Sequence, residues 1–204
     1  MISIKIGIVD YELGNHDSLF YSLKSIGFSV FISNNPDELK ICNIILLPGV
    51  GAFPKAMKSL RKSGLDKFII EWAKLEKPII GICLGMQLIC TKSYEFKECS
   101  GLNLINGEII KMENNDWHIG WNSNIPSHDN KIFRGLKRSQ FYYNHSFKFY
   151  GDSQNILSET ELNNEIIPAI IKKGKTFGIQ FHPEKSQLSG KILLTRIIKH
   201  LLND

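Results

Sequence analysis

In the first half of the chain, apolar residues gather into short unbroken runs separated by stretches of helical period. IKIGIVD (4–10), FSVFI (28–32), NIILLP (43–48) and PIIGI (78–82) are apolar on consecutive rather than alternate positions. That is the pattern of strands buried on both faces. Between the first two, residues 15–27 place Leu19, Phe20, Leu23 and Ile26 on one helical face and reach a stop at Gly27. AMKSLRKSG and LDKFIIEWAKLE predict helical segments broken near Gly64, and LGMQLICTK predicts the start of another helix after the fourth run. Strands alternating with helices imply a parallel sheet covered on both sides.

The second half differs. GEIIKM, QFYYNHSF, PAIIKKG and TFGIQFH predict shorter strands joined by polar turns, with antiparallel or mixed pairing. SGKILLTRIIKHLL (189–202) predicts a closing amphipathic helix. No repeat, low-complexity tract or linker interrupts the 204 residues, a length suited to one domain with a sizeable core. The expectation is an α/β fold, a single domain over 1–204. Its central, mostly parallel sheet is flanked by helices, with a smaller antiparallel or mixed portion. Functional loops then gather at the carboxyl ends of the parallel strands.

Composition narrows the function classes. Hydrophobic residues at 43% and charged residues at 22% are ordinary for a soluble globular protein. The net charge of +5 comes from dispersed Lys and Arg, which reads as solvated surface rather than a nucleic-acid footprint. MISIKIGIVDY is β-like rather than a leader, and no apolar stretch is long enough to span a bilayer. The four cysteines show neither CxxC spacing nor a dense framework, so free thiols in a cytoplasmic protein are expected. Cys42 and Cys90 read as core residues.

The chemistry concentrates in KPIIGICLGMQ (77–87). A cysteine closes a buried strand, and Gly81 and Gly85 flank it in a G-x-nucleophile-x-G pattern with Cys in place of Ser. A nucleophile on a tight strand-to-helix turn needs small neighbours, both for the strain and for access to the sulfur. A helix beginning at Leu84 would aim its N-terminal dipole at the sulfur, and the Leu84 amide would donate to an oxyanion. The alternative is a buried core cysteine. GIQFHPEKS (178–186) places His182 and Glu184 two positions apart after an apolar strand, so in extended chain the carboxylate follows the imidazole. The plainer reading is an exposed turn. His145 is not the candidate base, since no carboxylate follows it at that spacing. LPGVGAF (47–53) marks a special backbone conformation whose amides can face the cysteine, or simply a turn.

Together, GICLGMQ, LPGVGAF and FGIQFHPEKS resemble the class I (triad) glutamine amidotransferases, whose single-domain fold is flavodoxin-like. IVDYELGN (8–15), HIGWN (118–122) and YNHSF (143–147) are similar to motifs of the glutaminase subunits of imidazole glycerol phosphate synthases. The resemblance implies that Cys83 attacks the side-chain amide of glutamine, and that His182, oriented by Glu184, protonates the leaving ammonia. It implies an oxyanion held by the Leu84 amide and the Val50–Gly51 segment. Glutamine would be bound by Gly51 and Gln87 with backbone from His145, Ser146 and Phe147. It also implies a separate (β/α)8-barrel cyclase subunit that receives the ammonia and makes imidazole glycerol phosphate and AICAR for histidine biosynthesis. That partner would dock near Asn15, Trp121 and Lys185. Trp121 reads equally as core packing, and Lys185 as a solvated lysine. No metal, cofactor, membrane or nucleic acid is implied.

Trp117 stands where proline is common in the family, Asn144 where an apolar residue is usual, and His16 and Asp17 bring polar company to the first loop. These departures bear on the partner more than on glutamine. They keep open a paralogous glutaminase serving a surface-sugar amidination pathway. A non-catalytic binding module and a free-standing thiol hydrolase are the remaining rivals.

Overall fold

The structure, a computed structural model, describes residues 4–113, 117–126, 131–136 and 139–203. In chain order the elements are β1 (Lys5–Val9), α1 (His16–Ser25), β2 (Ser29–Ser33), α2 (Pro36–Leu39), β3 (Ile44–Leu47), α3 (Phe53–Ser63), α4 (Leu65–Lys74), β4 (Ile79–Ile82) and α5 (Leu84–Leu88). There follow β5 (Cys90–Ser93), β6 (Cys99–Ser100), β7 (Ile105–Lys111), β8 (His118–Ser123), β9 (Ile125–Pro126), β10 (Gln140–His145) and β11 (Phe147–Gly151). The last are β12 (Ile156–Leu162), β13 (Glu165–Lys173), β14 (Thr176–Ile179) and α6 (Gln187–Asn203).

The main sheet runs β2-β1-β3-β4-β14-β13-β12-β9. Its β2-β1-β3-β4-β14 portion is parallel, and β13, β12 and β9 continue it antiparallel. Strand period explains the two cores. Ile6, Ile8, Ile44, Leu46, Ile80 and Ile82 face one cluster with α1 and α6. Val9, Ile45, Leu47 and Ile79 face the other, with α3 and α4. Both faces are dry, so every position of these strands must be apolar. A second sheet, β11-β7-β5-β6, and the β8–β10 pair lie beside the main one. No described helix is long and apolar enough to cross a membrane.

Several elements depart from expectation. TFGIQFH does not join the mixed portion alone. Its strand β14 lies parallel to β4, with Gly178 opposite Gly81 and Ile179 opposite Ile82. This register brings the ends of strands about a hundred positions apart in sequence side by side. The helix after Cys83 is only five residues long, and Cys90–Ser93 is a strand. The chain turns at Ile89 because Gly101 and Leu102 must pack back onto it: Leu102 N–H donates to Leu88 O, and Gly101 N–H to Thr91 O. A helix that short carries little dipole, so the sulfur depends on other neighbours.

Candidate active site

Cys83 sits at φ 52°, ψ −109°, a left-handed backbone that a side chain adopts only under constraint. The constraint is visible in its glycines. A Cβ on Gly85 would stand 1.9 Å from the Leu47 carbonyl oxygen, and one on Gly81 would stand 2.4 Å from Gly85 O. The small residues therefore serve chiefly to press the backbones of β3, β4 and α5 together. Of the two reasons expected from sequence, the strain of the turn and access to the sulfur, these contacts bear on the turn. The Cys83 N–H donates to Ile179 O at 2.7 Å, which ties the turn to β14.

His182 lies beside the sulfur, close enough for Cys83 to act on its protonation. Its ring nitrogen Nδ1 donates to Glu184 Oε1 at 2.8 Å. The side chains of His182 and Glu184 are 2% and 3% exposed, so this contact is almost fully desolvated. The route differs from expectation: Pro183–Lys185 is a 3₁₀ turn, not extended chain. The turn is fastened from both sides. His182 N–H donates to Tyr142 O, Ser186 Oγ donates to His182 O at 2.6 Å, and Tyr142 N–H donates to Ser186 Oγ. Gly190 lets α6 lie against this turn, since a Cβ there would meet Pro183 O at 2.0 Å. Burial alone lowers the imidazole's pKa. The Cys83 sulfur and the Glu184 carboxylate outweigh it and push the pKa up to about 10, so His182 holds its proton at neutral pH.

Around this pair lies a cavity of about 250 Å³, lined by Val50, Gly51, Leu84, Gln87, His145 and Phe147 among others. That is below the ~300–1,000 Å³ of pockets for drug-sized ligands, and suits a small amino acid. Ser146 lines it as well. Gln87 Nε2 donates to Phe147 O at 3.4 Å, so this side chain braces α5 against β11. Trp117 and Asn144, two positions at which the sequence departs from the family pattern, stand at the same cavity.

Sequence reasoning missed Glu95. It lines the cavity, and its Oε2 accepts from the Phe53 N–H at 2.6 Å. Burial raises its carboxyl pKa and the Phe53 amide opposes this. One of two glutamates in the polar stretch SYEFKECS gives no periodic or motif signal; only the fold brings it to the pocket.

Behind the cavity His118 stacks on Tyr143 at 4.1 Å between ring centroids, and His145 tilts against both. Burial lowers the pKa of His118 to about 4. Burial and then the charge of His118 lower that of His145 to about 3. The unfolded chain protonates these rings below about 6.5, whereas the folded chain resists. Their stabilising contribution is therefore whole above pH 6.5 and is lost as the pH falls toward 4 and 3. Unfolding free energy from urea titrations should drop by roughly 1–3 kcal/mol between pH 7 and 5. The slope should flatten in His118→Gln. An equally steep slope in that variant would refute the assignment.

Of the expected docking residues, Trp121 is 44% exposed, so it is not core. It stands in line with Ile119 and Trp117, at 61% and 65% exposed. These alternate positions form one apolar stripe along the β8 edge, running from the cavity mouth outward. Trp121 meets Tyr142 edge to face, and the Lys185 ammonium lies over the Tyr142 ring at 5.7 Å. Asn15 is half-buried at the start of α1.

A sequence model of the class-I glutamine amidotransferases matches residues 7–198. The imidazole glycerol phosphate synthase subunit HisH of Carboxydothermus hydrogenoformans is 39% identical over 193 residues, covering 93% of this chain and 96% of that protein. The subunit of the same name from Lactococcus lactis is 36% identical, covering 97% and 99%. Among solved structures, a chain of PurLQS from Thermotoga maritima superposes with a TM-score of 0.78 at 20% identity, covering 98% of this chain and 100% of that one. A chain described as a glutamine amidotransferase superposes with a TM-score of 0.77 at 16% identity, covering 98% and 99%. These last two likenesses concern the fold.

Proposed function

Because the chain belongs to the class-I glutamine amidotransferases, and among them to the HisH family of imidazole glycerol phosphate synthase subunits, we propose that it hydrolyses glutamine with Cys83, His182 and Glu184 and passes the ammonia to a separate (β/α)8-barrel cyclase. What supports this reading is one arrangement: Cys83 and His182 side by side at a small cavity, with His182 hydrogen-bonded to a buried Glu184.

The Cys83 sulfur, its proton held by His182, attacks the side-chain carbonyl carbon of glutamine, and the carbonyl π electrons move to oxygen. The Leu84 amide and the Val50–Gly51 amides hold that oxyanion. His182 gives its proton to the amide nitrogen, the C–N bond breaks, and ammonia leaves a glutamyl thioester. His182 then takes a proton from water, the hydroxide adds to the thioester carbon, and the C–S bond breaks to give glutamate. Glu184 keeps the imidazole in its working tautomer throughout. Gly51, Gln87 and the backbone of His145, Ser146 and Phe147 hold the amino-acid end. We add Glu95 as the acceptor for the α-ammonium. Glu95→Gln keeps the bond from Phe53 but loses the charge. It should raise KM for glutamine about tenfold with kcat within threefold. An unchanged KM would remove Glu95 from the substrate site.

Ammonia set free in neutral water is mostly ammonium, which is no nucleophile, so a dry passage to the acceptor keeps it reactive. The stripe Trp117–Ile119–Trp121, with Asn15 and Lys185, is the docking face proposed for the barrel. A cytoplasmic setting belongs to the same reading. The sugar-amidination alternative is not favoured, since the two HisH relatives carry the synthase's name over nearly their full length. The test is glutamine hydrolysis by the purified chain alone, and again with a barrel cyclase and its nucleotide substrate. Strong stimulation is expected. Full activity of the chain alone would point instead to a self-sufficient thiol hydrolase.

A further inference from the structure

The segment 48–51 is held very unevenly. At one end the Tyr11 hydroxyl donates to the Pro48 carbonyl in a buried hydrogen bond. Gly14 closes on the same proline, where a Cβ would stand 3.2 Å from the ring carbon Cγ. Gly49 is jammed against the cysteine turn, where a Cβ would meet Leu84 Cβ at 2.5 Å and Gly85 N at 2.6 Å. At the other end Val50 is exposed, and Gly51, at φ +109°, has nothing within 4 Å of an added Cβ. The chain is thus clamped through Pro48–Gly49 and unsupported at Val50–Gly51.

Peptide planarity turns the clamp into an aiming device. Fixing the Pro48 carbonyl fixes the plane that carries the Gly49 N–H. Only the Gly49 and Val50 dihedrals then separate that plane from the two amides assigned to the oxyanion. We infer that Tyr11 is a positioning residue of the oxyanion site, setting through the Pro48 carbonyl the base from which the Val50 and Gly51 amides are aimed at the reacting atom. This rests on the reading of those amides as oxyanion donors. Tyr11 touches neither substrate nor sulfur in this role. Burial, and then the charge of the nearby Cys83, push the phenol's pKa upward, so the hydroxyl remains a donor across the working pH range. Tyr11 also stands edge-on to His16, which reaches Asp10 at 3.6 Å. The whole 10–16 loop, including Asn15 of the proposed docking face, is therefore tied to the clamp.

The test is Tyr11→Phe in the complex with the barrel cyclase, followed by glutamine hydrolysis and by alkylation of Cys83 with iodoacetamide. Alkylation needs the sulfur but no oxyanion donor. A misaimed donor should lower kcat by about 10- to 100-fold, leave KM for glutamine within twofold, and leave the alkylation rate unchanged. Gly14→Ala, which meets His16 Cε1 and Pro48 Cγ alike at 3.2 Å and strains a backbone held at φ +145°, should lower kcat in the same way, and it decides the matter if Tyr11→Phe folds poorly. Wild-type kcat in these variants overturns the inference, as does a parallel loss of kcat and alkylation. A wild-type complex unable to hydrolyse glutamine overturns the triad reading itself, and the inference with it.

Discussion

Cys83→Ala is expected to reduce glutamine hydrolysis by at least about 10⁴-fold, since removing a nucleophile removes the covalent route entirely. On the proposed reading the acceptor chemistry lies on the other polypeptide, so the same variant, paired with the barrel cyclase, should still form product when ammonium is supplied at alkaline pH. The two arms separate loss of chemistry from loss of fold or docking. The methyl group also keeps Cys83's place in the apolar cluster it borders, and the turn around it stays packed. Hydrolysis retained within tenfold of wild type would remove Cys83 as nucleophile. Loss of the ammonium-dependent reaction as well would show that the substitution had broken the complex rather than the triad.

Gly85→Ala should be the most damaging single-methyl change in the fold. The added carbon would lie 1.9 Å from the backbone oxygen of Leu47, which belongs to a central strand and cannot rotate away. Ordinary overpacking costs about 1–3 kcal/mol, absorbed by flexible side-chain ends. Here β3 and α5 must separate, and Gly49, already against Leu84 and Gly85, moves with them. The expected cost exceeds about 3 kcal/mol in urea unfolding, with activity lost in whatever folds. A cost under about 1 kcal/mol would mean that the elbow is looser than its contacts imply.

Much of this architecture was legible in the chain itself, and the reasons are specific. Ile44–Leu47 and Ile79–Ile82 are apolar at every position because both faces of their strands are dry, and a short run of that kind bounded by turn residues suits little but a central parallel strand. Gly64 breaks the long helical stretch as its sequence suggests, at φ 73°. The five-residue helix was not legible. GICLGMQLIC is apolar nearly throughout, so periodicity cannot tell where helix ends and strand begins, and the turn at Ile89 is imposed by contacts with residues 101–105. The pairing of His182 with Glu184 was readable from spacing. The 3₁₀ turn that makes it was not, because Pro183 suits either conformation. Glu95 had no local signal at all, and Tyr11, though part of the quoted IVDYELGN motif, carried no signal of what it holds. Each acquires its place through a partner about forty positions away, Phe53 in one case and Pro48 in the other.

The row of Trp117, Ile119 and Trp121 bears on how such a protein must be produced. Made without the proposed barrel partner, each molecule carries an adhesive flank of aromatic and aliphatic groups on one margin of a two-stranded ribbon. Surplus copies will tend to stick to one another, so balanced synthesis of both polypeptides becomes a condition of solubility as well as of turnover.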